Sequence, residues 1–210
     1  MIKIIAIERE FGSGASVIAE KLAQRLGWRL LDRQLTGEIA RLAKVSEAAV
    51  KRCEERVDPL FYRLSKVFWR GSYERSLPVD GLETFDADRM VALVQRVLDE
   101  AAAAGNCVIV GRGAPYFLRN RTDTLAVFLF APRELKIQRV LSMAKNEAEA
   151  SELVDTVDQQ RVAFVKHYFG KDWPYRPLYH LMLNTALGDT ITIDAIADLM
   201  DALNKGSASR

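Results

Sequence analysis

The residues of this sequence that are best placed to do chemistry form a glycine-rich turn after an apolar run. The run IIAI is followed by EREF, by the turn GSGAS, and then by a segment with helical periodicity. Glycines in such a turn let several backbone N–H groups converge on one anion, and the helix N-terminus adds a partial positive charge. The turn therefore predicts a phosphate-binding loop, although a tight structural turn would use the same residue types. Its members are Gly12, Ser13, Gly14, Ala15 and Ser16, the last of which is placed to reach a phosphate or a metal ion.

The loop lacks the lysine that the common motif G-x-x-x-x-G-K-[ST] places before its hydroxyl residue. When the motif is laid on this sequence, its first glycine falls on Arg9 and its lysine on Ala15. Arg9 is the cation expected to replace the lysine, because an always-charged guanidinium can bind phosphate through two hydrogen bonds, although from a different direction. The alternative is that Arg9 pairs with Glu8 or Glu10 at the surface.

Two further charged residues follow predicted strands. Arg112 comes directly after VIVG, and parallel sheets present ligand-binding groups at the carboxyl ends of their strands. Asp32 ends the segment WRLLD. Each has a structural alternative, since Arg112 can cap the sheet through backbone carbonyls and Asp32 can cap a helix that begins at Arg33.

The elements that must position these residues alternate between short apolar runs and helix-periodic segments, which favours an α/β fold with a mainly parallel sheet. Strands are expected in IKIIAI, WRLLD, CVIVG, TLAVFLFA and YHLMLNT. Helices are expected at residues 16–26, 89–104, 133–144, 147–168 and 193–203. Asp86 or Asp88 is placed to cap the second of these helices, and Gly27 and Gly170 are placed to end the first and the fourth. Residues 33–77 are expected to be helical, and the tail KGSASR to be frayed.

Composition narrows the class of protein. A chain of 210 residues can bury one well-packed core, so we expect a single domain over residues 1–210. The net charge of +2 gives no reason to expect a nucleic acid polymer or a membrane as partner. Cys53 and Cys107 are too few for a disulfide framework, and no segment reaches the ~18 apolar residues of a membrane span. We therefore expect a cytoplasmic protein with reduced cysteines, of which Cys107 is buried.

Four segments together resemble the cytidylate kinase-like family, namely IEREFGSGASVIAEKLAQRLGW, VIVGRGAPYFL, DQQRVAFVKHYFGKDW and YHLMLNT. This family has a phosphate loop of the form S-R-E-Y-G-S-G-G, in which the lysine position is often replaced. The resemblance covers residues 4–200 and is weakest over 45–88. It implies a three-layer P-loop kinase fold, with a five-stranded, mainly parallel sheet flanked by helices. It also implies a helical acceptor-side insertion at residues 33–88 and a lid-like helical segment at 143–172.

The resemblance further implies ATP-dependent phosphoryl transfer to a small nucleotide, a nucleoside monophosphate such as CMP or dCMP, with ATP and Mg²⁺ as cofactors. The loop would hold the donor phosphates, and Ser16 would hold Mg²⁺. Cytidylate kinases carry D-G-R-D after the third strand, and its arginine contacts the acceptor nucleotide. Arg112 matches that arginine, while Val110 and Gly113 replace the two acids. Asp32 matches an aspartate that faces the acceptor, so Arg112 and Asp32 are expected to bind substrate.

Asp158 and Arg161, three residues apart in DQQR, resemble the D-x-x-R of a kinase lid, whose arginines cover the transferring phosphoryl group. Such a transfer needs mainly positioning and positive charge, so the expected catalytic residues are Arg9, Arg112 and Arg161. Asp158 and Arg139, the latter in IQRV, are expected to bind substrate. The alternatives are a solvated ion pair between Asp158 and Arg161, worth only ~0.2–0.5 kcal/mol, and a plain surface position for Arg139.

Two other functions are compatible with the same residues. The missing lysine at 15 and the missing acids at 110 and 113 also suit a nucleotide- or phosphate-sensing module without catalysis. A kinase of another small molecule is possible too, because the segment that would choose the acceptor matches the family least. The aromatic segment 58–70 favours core packing or a homo-oligomer contact over base stacking. His167 and His180 lack partners at metal or triad spacing, so we expect structural roles for both.

Overall fold

The computed structural model describes residues 1–32 and 87–208, with side chains described for all of these except 87–90 and 207–208. In this part of the chain the strands are β1 Ile4–Arg9, β2 Arg29–Leu31, β3 Cys107–Val110, β4 Thr124–Phe130 and β5 Leu181–Asn184. The α-helices are α1 Ala15–Leu26, α2 Ala87–Ala104, α3 Ala114–Phe117, α4 Arg133–Val140, α5 Glu147–Phe169 and α6 Asp189–Ala208. Short 3₁₀ turns occupy Leu141–Met143, Arg176–Leu178 and Thr185–Leu187.

The five strands form one sheet in the order β2-β3-β1-β4-β5, and every neighbouring pair is parallel. The central strand β1 has Ile4 opposite both Cys107 of β3 and Thr124 of β4. Because parallel strands end at the same edge of a sheet, the segments that follow β1, β3 and β4 meet there. The predicted α/β fold with a parallel sheet and flanking helices is confirmed.

The core lies on both faces of the sheet. Ile5 and Ile7 of β1 face a cluster that includes Ile18 of α1 and Ile196 of α6. Ile4 and Ala6 face the opposite cluster, which includes Val97 and Leu98 of α2. A parallel strand that is buried on both faces carries apolar side chains on both, because neither face contacts solvent. This explains why β1 appears in the sequence as an unbroken apolar run.

Helix ends follow the signals in the sequence. Gly27 ends α1 in the left-handed conformation, and the N–H of Trp28 donates to the carbonyl of Ala23 at 2.9 Å. The Asn146 side chain accepts from the N–H of Glu149 at the start of α5, and Gly170 ends that helix in the left-handed conformation. The predicted boundaries of α1 and α5 are therefore correct to within a residue.

Other predicted boundaries differ from the structure. Asp88 lies inside α2 and so does not precede it, while Asp86, the other predicted cap, lies outside the described residues. Helix α4 ends at Val140 and gives way to a 3₁₀ turn. Helix α6 starts four residues early, where Asp189 pairs with Lys21 of α1 at 2.7 Å, and it continues to Ala208 through the tail that was expected to fray.

Several predictions fall outside the described residues. These concern the helical region 33–77, most of the insertion 33–88, Cys53 and the aromatic segment 58–70. Cys107 is described, and it is buried with a free thiol, as predicted. Among the described residues, no helix combines the length and the apolar composition needed to cross a membrane.

Adjacent residues of α1 test how much the core contributes to stability. Ile18 is fully buried, whereas 48% of Val17 is exposed. We expect Ile18→Ala to lower the free energy of unfolding by ~2–5 kcal/mol, because it removes buried methyl groups and leaves a cavity. Val17→Ala should change it by less than ~0.5 kcal/mol, since the surface loses little contact. Urea unfolding followed by circular dichroism measures both, and equal losses would contradict the assigned inner face of α1.

Candidate functional site

The loop between β1 and α1 has the backbone shape and polarity of an anion-binding site. Gly12 and Gly14 have φ angles of +77° and +79°, in the left-handed region that favours glycine. Gly14 is the N-cap of α1, no described side chain caps this end, and the first turn of the helix carries no acid. The N–H groups of that turn and the partial positive charge of the helix are therefore available to an anion.

The loop side chains differ sharply in burial. Ser13 is fully buried, and its hydroxyl has no hydrogen-bond partner among the described residues. Ala15 is only 3% exposed and packs in the core, so the position where the common motif has its lysine supplies no cation. Ser16 is exposed on the first turn of α1. A buried hydroxyl without a partner, beside available N–H groups, fits a phosphate at this loop.

A magnesium ion would need ligands from a bound phosphate. In residues 1–32 and 87–208, no group of three or more His, Cys, Asp or Glu side chains could hold a metal ion. The exposed Ser16 hydroxyl is the group of the loop that could contribute one oxygen. Mg²⁺ is usually bound by few protein ligands together with water and substrate phosphates, so these residues fit Mg²⁺ only as a partner of a nucleotide.

Arg9 is held at the end of β1 by an acid and by a glycine. Its Nη1 lies 3.5 Å from Oε1 of Glu8, and the same oxygen accepts the Arg9 N–H at 3.1 Å. The guanidinium packs against Gly111, where an added Cβ would lie 1.7 Å from Nη1. The ion pair with Glu8 is therefore present, but it fixes the guanidinium at the sheet edge, because Glu8 itself is buried.

Two tyrosine side chains lie near the carboxylate of Glu8. Burial raises the pKa of Tyr116 and of Tyr179, and the charge of Glu8 adds to the rise. Their hydroxyls are close enough to affect each other, but no hydrogen bond of ordinary geometry joins them. Arg9 is thus a cation paired with this buried carboxylate, and Arg161 also lies close enough to interact with its charge.

Helix α5 docks directly on the loop through the predicted pair. Oδ1 of Asp158 accepts the Phe11 N–H at 2.8 Å, and Nη1 of Arg161 donates to the carbonyl of Arg9 at 2.8 Å and to Asp158 at 2.9 Å. Only 16% of the Asp158 side chain and 18% of the Arg161 side chain are exposed, so this is not a solvated ion pair. Burial, and then the proximity of Arg9, lowers the pKa of Arg161 to about 10, which still leaves it charged at neutral pH.

Arg139 contacts the backbone of the loop. Its Nη1 donates to the carbonyl of Ser13 at 2.7 Å and to Oγ1 of Thr185 at 2.9 Å. The Thr185 hydroxyl donates to the same Ser13 carbonyl at 2.6 Å. The guanidinium also lies 3.4 Å from the position of a Cβ on Gly14. Arg139 therefore links the loop to the turn after β5 through these hydrogen bonds.

Lys136 is a site residue that the sequence reasoning missed. Its Nζ lies 2.9 Å from Oε2 of Glu10 and 3.1 Å from Oδ2 of Asp158, and the side chain is buried under the loop. Burial opposes its charge, but the hydrogen bonds to Glu10 and Asp158 outweigh this and raise the pKa of Lys136. A lysine on the same inner face of α4 as Val140 was the signal that could have identified it.

Arg112 and Asp32 lie at the same edge of the sheet as the loop. Arg112 has a φ of +57° between two glycines that also have positive φ, and it is half-buried after β3. A non-glycine residue in this region costs on the order of 1–3 kcal/mol, so the turn is strongly constrained. One constraint is Gly113, where a Cβ would lie 3.3 Å from the rings of Phe117, Phe164 and Phe169. Asp32 is half-buried just after the edge strand β2.

The two histidines make structural contacts. Nδ1 of His180 accepts the Ala126 N–H at 2.9 Å, beside the β4–β5 pairing. The His167 ring packs edge-on against Tyr168 at a centroid distance of 4.5 Å.

Two glycines of equal backbone strain test the role of Arg9. Gly111→Ala forces Arg9 to move, whereas Gly27→Ala meets nothing within 4 Å although its φ of +63° is also left-handed. We expect only Gly111→Ala to weaken the binding of pyrophosphate, by about tenfold or more, because a hydrogen bond to a charged group is worth ~1.5–3 kcal/mol. Isothermal titration calorimetry measures both affinities. Equal affinities in the two variants would show that Arg9 does not contact the anion.

Comparison with known proteins shows the family to which the chain belongs. The sequence profile of the cytidylate kinase-like family matches residues 4–187. Curated protein sequences give no match. Among solved structures, an uncharacterized protein from Eubacterium ventriosum is similar, with 20% identity, a TM-score of 0.68 and coverage of 96% of this chain and 99% of that chain.

Two solved kinases share the fold at lower similarity. A gluconokinase from Sinorhizobium meliloti has 14% identity and a TM-score of 0.56, with 98% of this chain and 97% of that chain covered. A shikimate kinase from Bacteroides thetaiotaomicron has 18% identity and a TM-score of 0.53, with 97% and 99% covered. Because the family profile spans most of the sequence, the chain belongs to the cytidylate kinase-like family.

Proposed function

We propose that this protein transfers the γ-phosphoryl group of ATP to a nucleoside monophosphate, CMP or dCMP, with Mg²⁺. The observation that supports this most is the meeting of three features at one sheet edge. These are a loop with available N–H groups, the guanidinium of Arg9 and the docked Arg161 of α5. Phosphoryl transfer asks a protein mainly for positioning and for positive charge around the phosphates, and this arrangement offers both.

In this proposal, the loop amides and the N-terminus of α1 bind the donor phosphates. An oxygen of the acceptor phosphate forms a bond to the γ-phosphorus while the bond to the bridging oxygen of ADP breaks, which yields ADP and a nucleoside diphosphate. Arg9 and Arg161 balance the charge that spreads over the transferred group. The described contacts of Arg161 use Nη1, and a guanidinium has further N–H donors for phosphate. Bound Mg²⁺, held in part by Ser16, would neutralise phosphate charge.

The acceptor would bind at the same edge of the sheet, near the ends of β2 and β3. Arg112 follows β3 and Asp32 follows β2, and we assign the contacts to the acceptor to these two residues. The acceptor-side insertion expected at 33–88, of which only residues 87–88 are described, and the single domain over residues 1–210 stay parts of this proposal. Asp158 and Arg139 stay proposed substrate-binding residues, and in the structure both also contact the backbone of the loop.

A second candidate function is nucleotide or phosphate sensing without turnover. The burial of Ala15 favours it, because the loop offers no side-chain cation that could follow the γ-phosphoryl group. Phosphorylation of another small hydroxyl compound is a third candidate. It is favoured by the fold that the chain shares with a shikimate kinase and a gluconokinase.

Arg161 and Lys166, two cations of the same helix, test the proposed reaction. We expect wild-type protein with ATP and Mg²⁺ to release ADP faster when CMP or dCMP is added. Arg161→Ala should lower kcat by at least about 10²-fold, because charge stabilisation in the transition state is lost. Lys166→Ala should have little effect, since Lys166 pairs with Asp172 at the surface. A coupled ADP assay over all nucleoside monophosphates measures this, with melting temperature as the control for folding.

The same assay separates the candidate functions. Calorimetric binding of ATP without turnover on any acceptor would overturn the proposed reaction and support the sensor. Turnover with gluconate- or shikimate-like hydroxy acids, and none with nucleotides, would support the third candidate.

A further inference from the structure

We infer that Lys136 is a positioning residue of the phosphate site, whose buried ammonium group neutralises two carboxylates bordering the loop and so keeps the loop able to bind an anion. This rests on the proposed function only in that the loop takes a phosphate. Lys136 would thereby supply from beneath, through helix α4, part of the charge balance that a lysine at position 15 would supply from within the loop.

The position of Lys136 is fixed from three directions. Its backbone lies under the loop, since a Cβ on Gly12 would be 2.9 Å from the Lys136 carbonyl oxygen. Its Nζ lies 2.9 Å from Glu10, at the start of the loop, and 3.1 Å from Asp158 of α5. Only 10% of the side chain is exposed, so solvent screens these interactions weakly.

The charges around Lys136 form a balanced cluster. Glu10 and Asp158 are the carboxylates, and Lys136 and Arg161 are the cations. Asp155 of α5 also senses Lys136, but it is exposed and already paired with Arg133. Without Lys136, two carboxylates would share one cation beside the amides that bind phosphate. The uncompensated negative charge at this partly buried site would then repel an anion at the loop.

Lys136 also orients Asp158. One carboxylate oxygen of Asp158 is held by Lys136, and the other accepts from Phe11 and Arg161. A purely structural role would therefore lie in this bridge between α4, the loop and α5. The charge role and the structural role of Lys136 can be separated by a variant that restores the charge balance without restoring the bridge. Such a variant recovers anion binding only if Lys136 acts through its charge.

The experiment measures the affinity of the full chain for pyrophosphate, by calorimetry, in charge variants. Lys136→Met should bind about tenfold more weakly or worse, because one carboxylate is left unbalanced. Lys136→Met combined with Glu10→Gln should return to within about threefold of the wild-type affinity, since the cluster is again neutral. Glu10→Gln alone should bind more tightly than the wild type, because the cluster then carries a net positive charge. Lys136→Arg should keep the wild-type affinity.

Arg133→Met is the matched control. Arg133 is on the same helix, carries the same charge and pairs with Asp155 and Ser151 of α5, but 48% of its side chain is exposed. Its loss should change the affinity by less than about twofold, as expected for a solvent-screened pair. Urea unfolding of each variant confirms that folded proteins are compared.

Two results would overturn the inference while the loop still binds pyrophosphate. One is a double variant that binds as weakly as Lys136→Met, which would leave Lys136 a structural bridge only. The other is a Glu10→Gln variant that binds no more tightly than the wild type, a result that does not require Lys136→Met to fold. A wild type that binds neither pyrophosphate nor ATP would overturn the phosphate site and the proposed function together. The expected affinities without any turnover would support Lys136 and reject the kinase reaction.

Discussion

The rest of the site depends on one hydrogen bond, in which the Asp158 carboxylate accepts the Phe11 N–H. It ties the middle of α5 to the backbone just before Gly12, and Arg161 and Lys136 both bind the same carboxylate. Breaking a buried pair by removing one partner typically costs ~3–5 kcal/mol, because a charge is left uncompensated. Helix α5, the loop and α4 are therefore coupled through one side chain, and none of them can shift without disturbing the others.

Where the common motif has a lysine in the loop, this protein has several cations that come from other elements. Arg9 comes from β1, Lys136 and Arg139 from α4, and Arg161 from α5. Each has an acid or a backbone carbonyl as partner, as buried charges require. On the proposed function, this loop depends on charge positioned in advance by tertiary contacts, whereas a lysine in the loop would be free to follow its phosphate.

Glycine makes the close approach of these cations possible. The Arg9 guanidinium occupies the space where Gly111 would carry a Cβ, and the Lys136 backbone does so at Gly12. Both glycines also have positive φ, so steric room and backbone conformation point to the same residue type. On the proposed function, the glycine after β3 therefore contributes to the phosphate site by leaving room for Arg9.

The sequence by itself determined the local structure and the family of this protein. Continuous apolar runs specify strands buried on both faces, Gly27 and Gly170 end their helices, and the GSGAS turn marks the start of α1. The pair Asp158 and Arg161 was found because its spacing of three residues is local to one helix. Only the tertiary structure decided which backbone groups these side chains contact, and that Arg139 donates to the Ser13 carbonyl of the loop. Lys136 was missed because its partner Asp158 is 22 residues away in the sequence. The contact of Arg139 could not be predicted because Ser13 is 126 residues away. Such contacts depend on how α4 and α5 dock at the sheet edge, and no local propensity or periodicity encodes that docking.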